Sequence, residues 1–515
     1  MPASPCRVTR RPSLPFVLRH TATVERSRTL TSPTDPQALS HAAKRIVPWL
    51  CGTALFMELL DATIVNTAVP TMAVALRVEP LSLKTVLTSY TLSLAIFIPV
   101  SGWMADRFGT RRVFFSAVTV FLVGSLACGF SLNLPMLVAS RLLQGAGGAM
   151  MTPVGRLVLV RTFPRQEFLH AMNFVVIPSL VGPLIGPFVG GLLVHWVHWR
   201  AIFFLNFPIG VAGLWLIRRY MPEYRTEGVA PLDWLGFALV GLAVALLSHV
   251  LEVFGEHAWV AGPLFAMVAA AALLFLIYGH HASRIPHPLL RFSLFRIRTF
   301  RSSVGGGFVT RLGIGGMPFL LPLLYQLGLG YTAWQSGLLM MPQAAASILM
   351  KVLSEPILAR FGFRRVLVAN TVLLGATIAA FALVHQGASL FALLSLSLAQ
   401  GFFSSLQFTS MNSLVFADVS DRDASMASSI FSTAQQLSLS FGVAISSLVV
   451  TFFQRIFPGT ADVGLMAPLH RAFLMLGALT ALCAWTFAVL RPGDGANVSR
   501  HRVKPGDVPA KAREA

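Results

Sequence analysis

Long apolar runs follow one another along almost the whole of this chain, and that feature leaves few folds open. About 20 apolar residues cross a bilayer as a helix. By that measure spans are expected near 46–70, 86–105, 113–130, 134–158, 171–194, 201–217, 232–251, 258–279, 304–327, 335–358, 366–385, 389–416, 426–453 and 468–490. Inside lipid every backbone amide must be paired within its helix or around a closed barrel. A barrel needs alternating segments of about ten residues, and these runs do not alternate. The expected fold class is all-α, a polytopic membrane protein with about 14 transmembrane helices.

Composition settles the solvent. The 515 residues are 55% hydrophobic and 12% charged, whereas a soluble domain carries roughly a quarter charged residues. A formal net charge of +20 invites a nucleic-acid reading, but there is no zinc finger, basic helix or aromatic–basic face to support one. The arginines sit instead in short connections: Arg107, Arg111 and Arg112; Arg161 and Arg165; Arg218, Arg219 and Arg225; Arg284, Arg291, Arg296 and Arg298; Arg360, Arg364 and Arg365. These are the even-numbered connections. The odd ones hold few, so the positive-inside rule places both termini in the cytoplasm. Residues 1–43 are basic and rich in Ser, Thr and Pro, with no apolar core of signal-peptide length. They are expected to form a disordered cytoplasmic tail, and 491–515 a second one. The four cysteines (Cys6, Cys51, Cys128 and Cys483) have neither metal nor disulfide spacing.

The chain also repeats itself. Segment 102–115, GWMADRFGTRRVFF, aligns with 355–368, EPILARFGFRRVLV, so that Arg107, Phe108, Gly109, Arg111 and Arg112 fall on Arg360, Phe361, Gly362, Arg364 and Arg365. Gln144–Gly145 answers Gln400–Gly401 at nearly the same offset. Two matches at nearly one offset indicate duplication. The expected organisation is an N-terminal six-helix half over 44–220, two inserted helices over 221–282, and a C-terminal six-helix half over 283–490. Paired halves around a shared midplane cavity are the build of many secondary transporters.

Charges inside apolar spans are expensive and usually functional. Glu58 and Asp61, three residues apart in FMELLDATIVNTAVP, share a helical face. Two carboxylates in low dielectric resist being ionised together, which suits a proton-binding site; a structural ion pair with a neighbouring helix is the alternative. Arg141 in SRLLQGAGGAMMTPVGRL stays charged, so it pairs, hydrogen-bonds or steers. It is expected beside a carboxylate, unless it serves only to hold helices together. Gly182, Gly186 and Gly190 form a smooth stripe at four-residue spacing, and Pro183 and Pro187 permit bending beside it. Static packing explains that stripe equally well. The short basic hairpin that holds Gly102, Asp106, Arg107, Gly109, Arg111 and Arg112 is expected to gate, latching against the opposite half, or else only to set topology. Gln144, Arg311, Gln407 and Asn412 are candidate cavity residues, although interhelical hydrogen bonding explains Gln407 and Asn412 equally well. Lys351 either lines the cavity or snorkels to the membrane edge. No Gly-rich phosphate loop is present, so ATP is not expected to drive the protein. His195 and His198 lack a third ligand, and neither metal nor cofactor is expected.

Taken together, LDATIVNTAVP (60–70), GWMADRFGTRR, RLLQGAGGAMMTP and GPLIGPFVGG, the last followed by WRAIFFLNFPIG (199–210), resemble the major facilitator superfamily. Within it, they resemble the fourteen-span drug:proton antiporter subfamily, of the EmrB/QacA type. The match runs from about 46 to 490. Ala201 stands where that family often carries a second aromatic, and Glu58 is not general to it. The resemblance implies proton-driven multidrug efflux by alternating access across the inner membrane. It also implies Asp61 or its neighbour as proton carrier, Arg141 as its partner, and Gly182 to Gly191 as an antiporter motif. Its expected partners are small amphipathic substrates, protons, the lipid bilayer and a periplasmic adaptor protein. The rival expectations are a proton-coupled importer of one metabolite with the same fold, and a membrane enzyme. An enzyme would need a convergent nucleophile–base set, and none is visible.

Overall fold

The computed structural model describes residues 41–163, 165–256, 261–420, 423–456 and 465–499. The expected tail 1–43 lies outside these residues except for 41–43, as does Cys6; of the expected tail 491–515, residues 491–499 are described, with a short helix at Ala496–Ser499 and Asp494 paired with Arg298. Among the described residues there is no strand. The long helices are α1 (His41–Ile64), α2 (Lys84–Phe108), α3 (Thr110–Gly129), α4 (Leu134–Thr162), α5 (Arg165–Trp196), α6 (Asn206–Tyr220) and α7 (Trp234–Glu256). They continue as α8 (Ala261–Arg284), α9 (Gly307–Leu323), α10 (Ala333–Ala380), α11 (Leu390–Leu414), α12 (Ala424–Ile456) and α13 (Met466–Leu482).

Twelve helices among the described residues are long and apolar enough to cross a membrane. One of them, α10 with its short extension, runs for 51 residues and breaks at Gly362, whose φ of 73° is not helical. It therefore comprises two arms, 333–361 and 363–380. Helix α4 is not among the twelve, yet its 29 residues exceed a bilayer's thickness, and Arg141, Arg156 and Arg161 account for its lower apolarity. Counting both arms and α4 brings the helices of spanning length to fourteen, consistent with the apolar runs.

Local chemistry fixes the ends. Asn133 caps α4 by accepting the Met136 amide at 2.9 Å, a donor that the first turn would otherwise leave unpaired. Gln335 folds back on the Thr332 amide at 2.9 Å to start α10. Gly109 (φ 99°) turns the chain between α2 and α3 as Gly362 does between the arms of α10, and such backbone favours glycine. The first expected span is not one straight helix: after α1 comes a 3-10 turn at Asn66–Ala68 and then a short helix, Val69–Leu76.

The repeat is also three-dimensional. The glycine after each repeated glutamine lets its helix press on backbone in the same way in both halves. A Cβ on Gly145 would meet the Tyr90 carbonyl, and one on Gly401 would meet the Gln343 carbonyl. Between the halves, α10 packs on α5 and α12 packs on α2. Helices α7 and α8 pair with each other, and α7 also touches α2 and α12. Phe265 and Leu276 of α8 are 76% and 72% exposed, as befits a peripheral helix whose solvent is lipid.

Candidate transport site

Asp61 lies on the last turn of α1 and has no exposed surface. The periodicity of α1 turns it toward α4, where Arg141 Nη1 donates to Asp61 Oδ2 at 2.5 Å. Gln144, one turn further along α4, donates to Asp61 Oδ1 at 2.8 Å and accepts from Arg141 Nη1 at 2.7 Å. Asn206, from the first turn of α6, donates to the same Oδ1 at 3.0 Å. Arg141 is held further by the Val86 carbonyl at 3.3 Å and by the Tyr90 ring, 4.2 Å from Cζ. Helices α1, α2, α4 and α6 thus meet at one ionic centre. Taking two charges out of water is costly unless geometry and extra hydrogen bonds compensate, and here every bond to the carboxylate comes from a buried donor.

The arrangement has a definite chemical capacity. As a carboxylate, Asp61 accepts three N–H bonds. A proton on either oxygen would set a donor against donors, so protonation must break part of the network and loosen Arg141. Glu58 sits one turn earlier and is separately engaged, accepting from Thr152 Oγ1. The two acidic residues do not share partners.

Sequence had placed Gln144 in the candidate substrate cavity, but it is fully buried in the Asp61 network. Gln407 takes the interhelical alternative, donating to Thr371 Oγ1 at 2.9 Å and accepting from Asn370 at 2.8 Å, which ties α11 to α10. Asn412 and Lys351 are exposed, and Arg311 is completely buried. Asn206, within the WRAIFFLNFPIG stretch, is a ligand of Asp61 that the sequence does not distinguish from any other polar residue in a span.

The hairpin differs from expectation in its partners. Asp106 pairs with Arg161 at 2.5 Å and accepts from Thr226 at 3.1 Å. Arg111 pairs with Glu223 at 3.3 Å, and a Cβ on Gly109 would strike the Glu223 carboxylate. Thr110 and Tyr224 exchange bonds through their amides at 3.0 Å. These partners all belong to α4 and the segment after α6, not to the opposite half, because the 221–227 stretch folds back across the hairpin. Gly102 faces open space, and Arg107 and Arg112 are exposed.

The glycine stripe of α5 lies against α1. Gly182 faces the Phe56 carbonyl, Gly186 faces Thr63, and Gly190 faces the Ile64 carbonyl. Gly191 turns to the other half, against Ala333 and Trp334, and Pro187 lies against Gly337 of α10. Pro183 is inside the same helix. At this end of the bundle the halves are also joined by Gln326 Nε2 donating to the Thr67 carbonyl at 3.0 Å and by stacked Trp196 and Trp334.

A helical bundle of two like halves, with an ion pair buried in one of them, defines a multi-pass membrane transporter. Comparison with known proteins makes this specific. The Major Facilitator Superfamily profile matches residues 51–353 and again 303–513, and the chain belongs to that family. It is 40% identical over 407 residues to the putative multidrug resistance protein MdtD of Citrobacter koseri, covering 79% of this chain and 86% of that one. Against the protein of the same name from Klebsiella pneumoniae it is 38% identical over 470 residues, covering 89% and 97%. Among solved structures, a POT family transporter in complex with 5-aminolevulinic acid superposes with a TM-score of 0.65 at 15% identity, covering 86% of this chain and 95% of that one.

Proposed function

We propose that this chain is a proton-coupled efflux antiporter that exports drugs or other amphipathic compounds across the inner membrane by alternating access. The observation that carries the reading is the enclosed Asp61–Arg141–Gln144–Asn206 network. It couples the protonation of one carboxylate, on helix α1 which packs against α5, to the freedom of one arginine. Helix α5 touches α10 of the other half, so a change at Asp61 has a short mechanical route to the seam between halves. The kinship with proteins named for multidrug resistance supports the substrate class, and the glycine stripe supports the direction.

In this reading both termini face the cytoplasm and the hairpin gates from that side. Asp106 and Arg111 fasten it to the 221–227 segment in the present conformation and release it in another. Substrate leaves at the end fastened by Thr67 and Trp334 when the halves rock about the buried network. A periplasmic adaptor protein extends the route outward. The test is accumulation of lipophilic dyes in energised cells. Expression is expected to lower accumulation, and collapsing the proton gradient is expected to restore it. Raised proton-dependent uptake of a single metabolite, with no change for any dye, would favour an importer instead.

A further inference from the structure

Arg311 has no exposed surface, and neither Nε nor either Nη finds a hydrogen-bond partner. None of the ion pairs among the described residues includes it. A guanidinium carries five N–H donors and keeps its charge, so burying it unpaired is among the costliest things a fold can do. The site is nevertheless built around it. Phe408 of α11 and Phe431 of α12 present their rings 5.1 and 4.8 Å from Cζ, which offsets part of the cost. Gly307, one turn earlier on α9, leaves the space: a Cβ there would come within 2.8 Å of both Arg311 Nη1 and Met411 Sδ. The nearby stretches carry further buried hydroxyls without partners, on Ser303, Ser410 and Thr433.

The duplication sharpens the contrast between halves. The offset that carries Arg107 onto Arg360 carries Glu58 onto Arg311, and the offset that carries Gln144 onto Gln400 carries Thr152 onto Phe408. In the N-terminal half the acid Glu58 is satisfied by a hydroxyl. In the C-terminal half the cation Arg311 is flanked by aromatic rings, with every donor unused. Packing alone would place an apolar side chain there.

We propose that Arg311 is the anion-recognition residue of the substrate site, and that the substrates it selects are lipophilic organic anions. Such a ligand has a carboxylate or sulfonate for the guanidinium and an apolar, preferably aromatic, body for Phe408 and Phe431. The proposal rests on the alternating-access reading above, because Arg311 is enclosed here and meets a ligand only in another arrangement of the helices. The planar fork of donors accepts both oxygens of such a group at once.

Direct binding to the purified full-length protein in detergent tests this without any proton gradient, so failure of coupled export would not decide it. The probes share one body and differ in charge: naphthalene-2-sulfonate and naphthalen-2-ylmethylammonium, compared by equilibrium dialysis. The sulfonate is expected to bind about ten-fold more tightly or better, as a charge-assisted bond in a dry site allows. Arg311→Gln is expected to abolish that preference, and Arg311→Lys to keep part of it. Equal or weaker binding of the sulfonate by the native protein overturns the proposal whatever the variants do. So does undiminished sulfonate binding by a monodisperse Arg311→Gln protein.

Discussion

At the scale of the residue, the informative contrast is between ionic groups that look alike in sequence. Asp61 and Glu58 stand one turn apart, yet Asp61 faces three buried nitrogen donors and Glu58 a single hydroxyl. Asp61→Asn keeps the shape and one acceptor oxygen but cannot carry a proton. It is expected to reduce proton-driven transport to the level of empty vesicles while the protein still inserts, whereas Glu58→Gln should give a milder or substrate-dependent loss. Near-normal pH-dependent transport by Asp61→Asn would remove Asp61 from the coupling step. Asp106 invites a different expectation. Its pair with Arg161 is part-exposed, a class worth about 0–1 kcal/mol, so Asp106→Asn should hardly alter thermal stability. It should slow turnover more than it weakens substrate binding, since it disturbs the balance of conformations. Weakened binding at unchanged turnover would contradict the gating role.

Sequence spoke unevenly at this scale. The charge of Asp61 and Arg141 inside apolar spans is plain, but which of Asp61 and Glu58 Arg141 joins is not, because the two acids share one helical face. Asn206 was hidden because one polar residue in a span looks the same whether it binds a carboxylate or faces lipid-buried backbone. Gln144 and Gln407 are ambiguous for the same reason: each is polar and inward, but the neighbouring helix decides whether a donor is spent internally, as both are here, or left for a ligand. Arg311 is the opposite case, since its lack of partners exists only in three dimensions.

At the scale of the element, glycine decides how closely helices approach. The α5 stripe places Gly186 directly over Thr63, two residues beyond Asp61, so the seam and the ionic site share one helix. Gly186→Leu would wedge α5 from α1 at a cost of about 1–3 kcal/mol, by analogy with overpacked soluble cores, enough to shift a two-state equilibrium by about ten-fold. Cells carrying it should lose the dye-accumulation difference while the protein remains in the membrane at normal levels. Full activity of Gly186→Leu would reduce the stripe to passive packing. Spans and the two halves were legible because apolar length and a duplicated motif survive in one dimension. The break at Gly362 was legible too, through its match to Gly109. The partners of the hairpin were not, because the polar 221–227 segment has no periodicity to say where it folds back.

At the scale of the whole molecule, topology and coupling become one question. If the arginine-rich connections lie inside, reporter fusions near residues 225, 290 and 420 should score cytoplasmic, and those near 80, 255 and 330 external; an external C-terminus would contradict the orientation. In the proposed cycle, protons and substrate move in opposite directions through one molecule. The most direct measurement is lumenal pH in proteoliposomes under an imposed pH gradient, followed on adding a panel of anionic, neutral and cationic dyes. At least one lipophilic dye is expected to accelerate collapse of the gradient with the native protein, and the effect is expected to vanish in Asp61→Asn vesicles of equal protein content. A gradient that decays at the same rate with and without every dye, or identically in native and Asp61→Asn vesicles, would contradict that cycle.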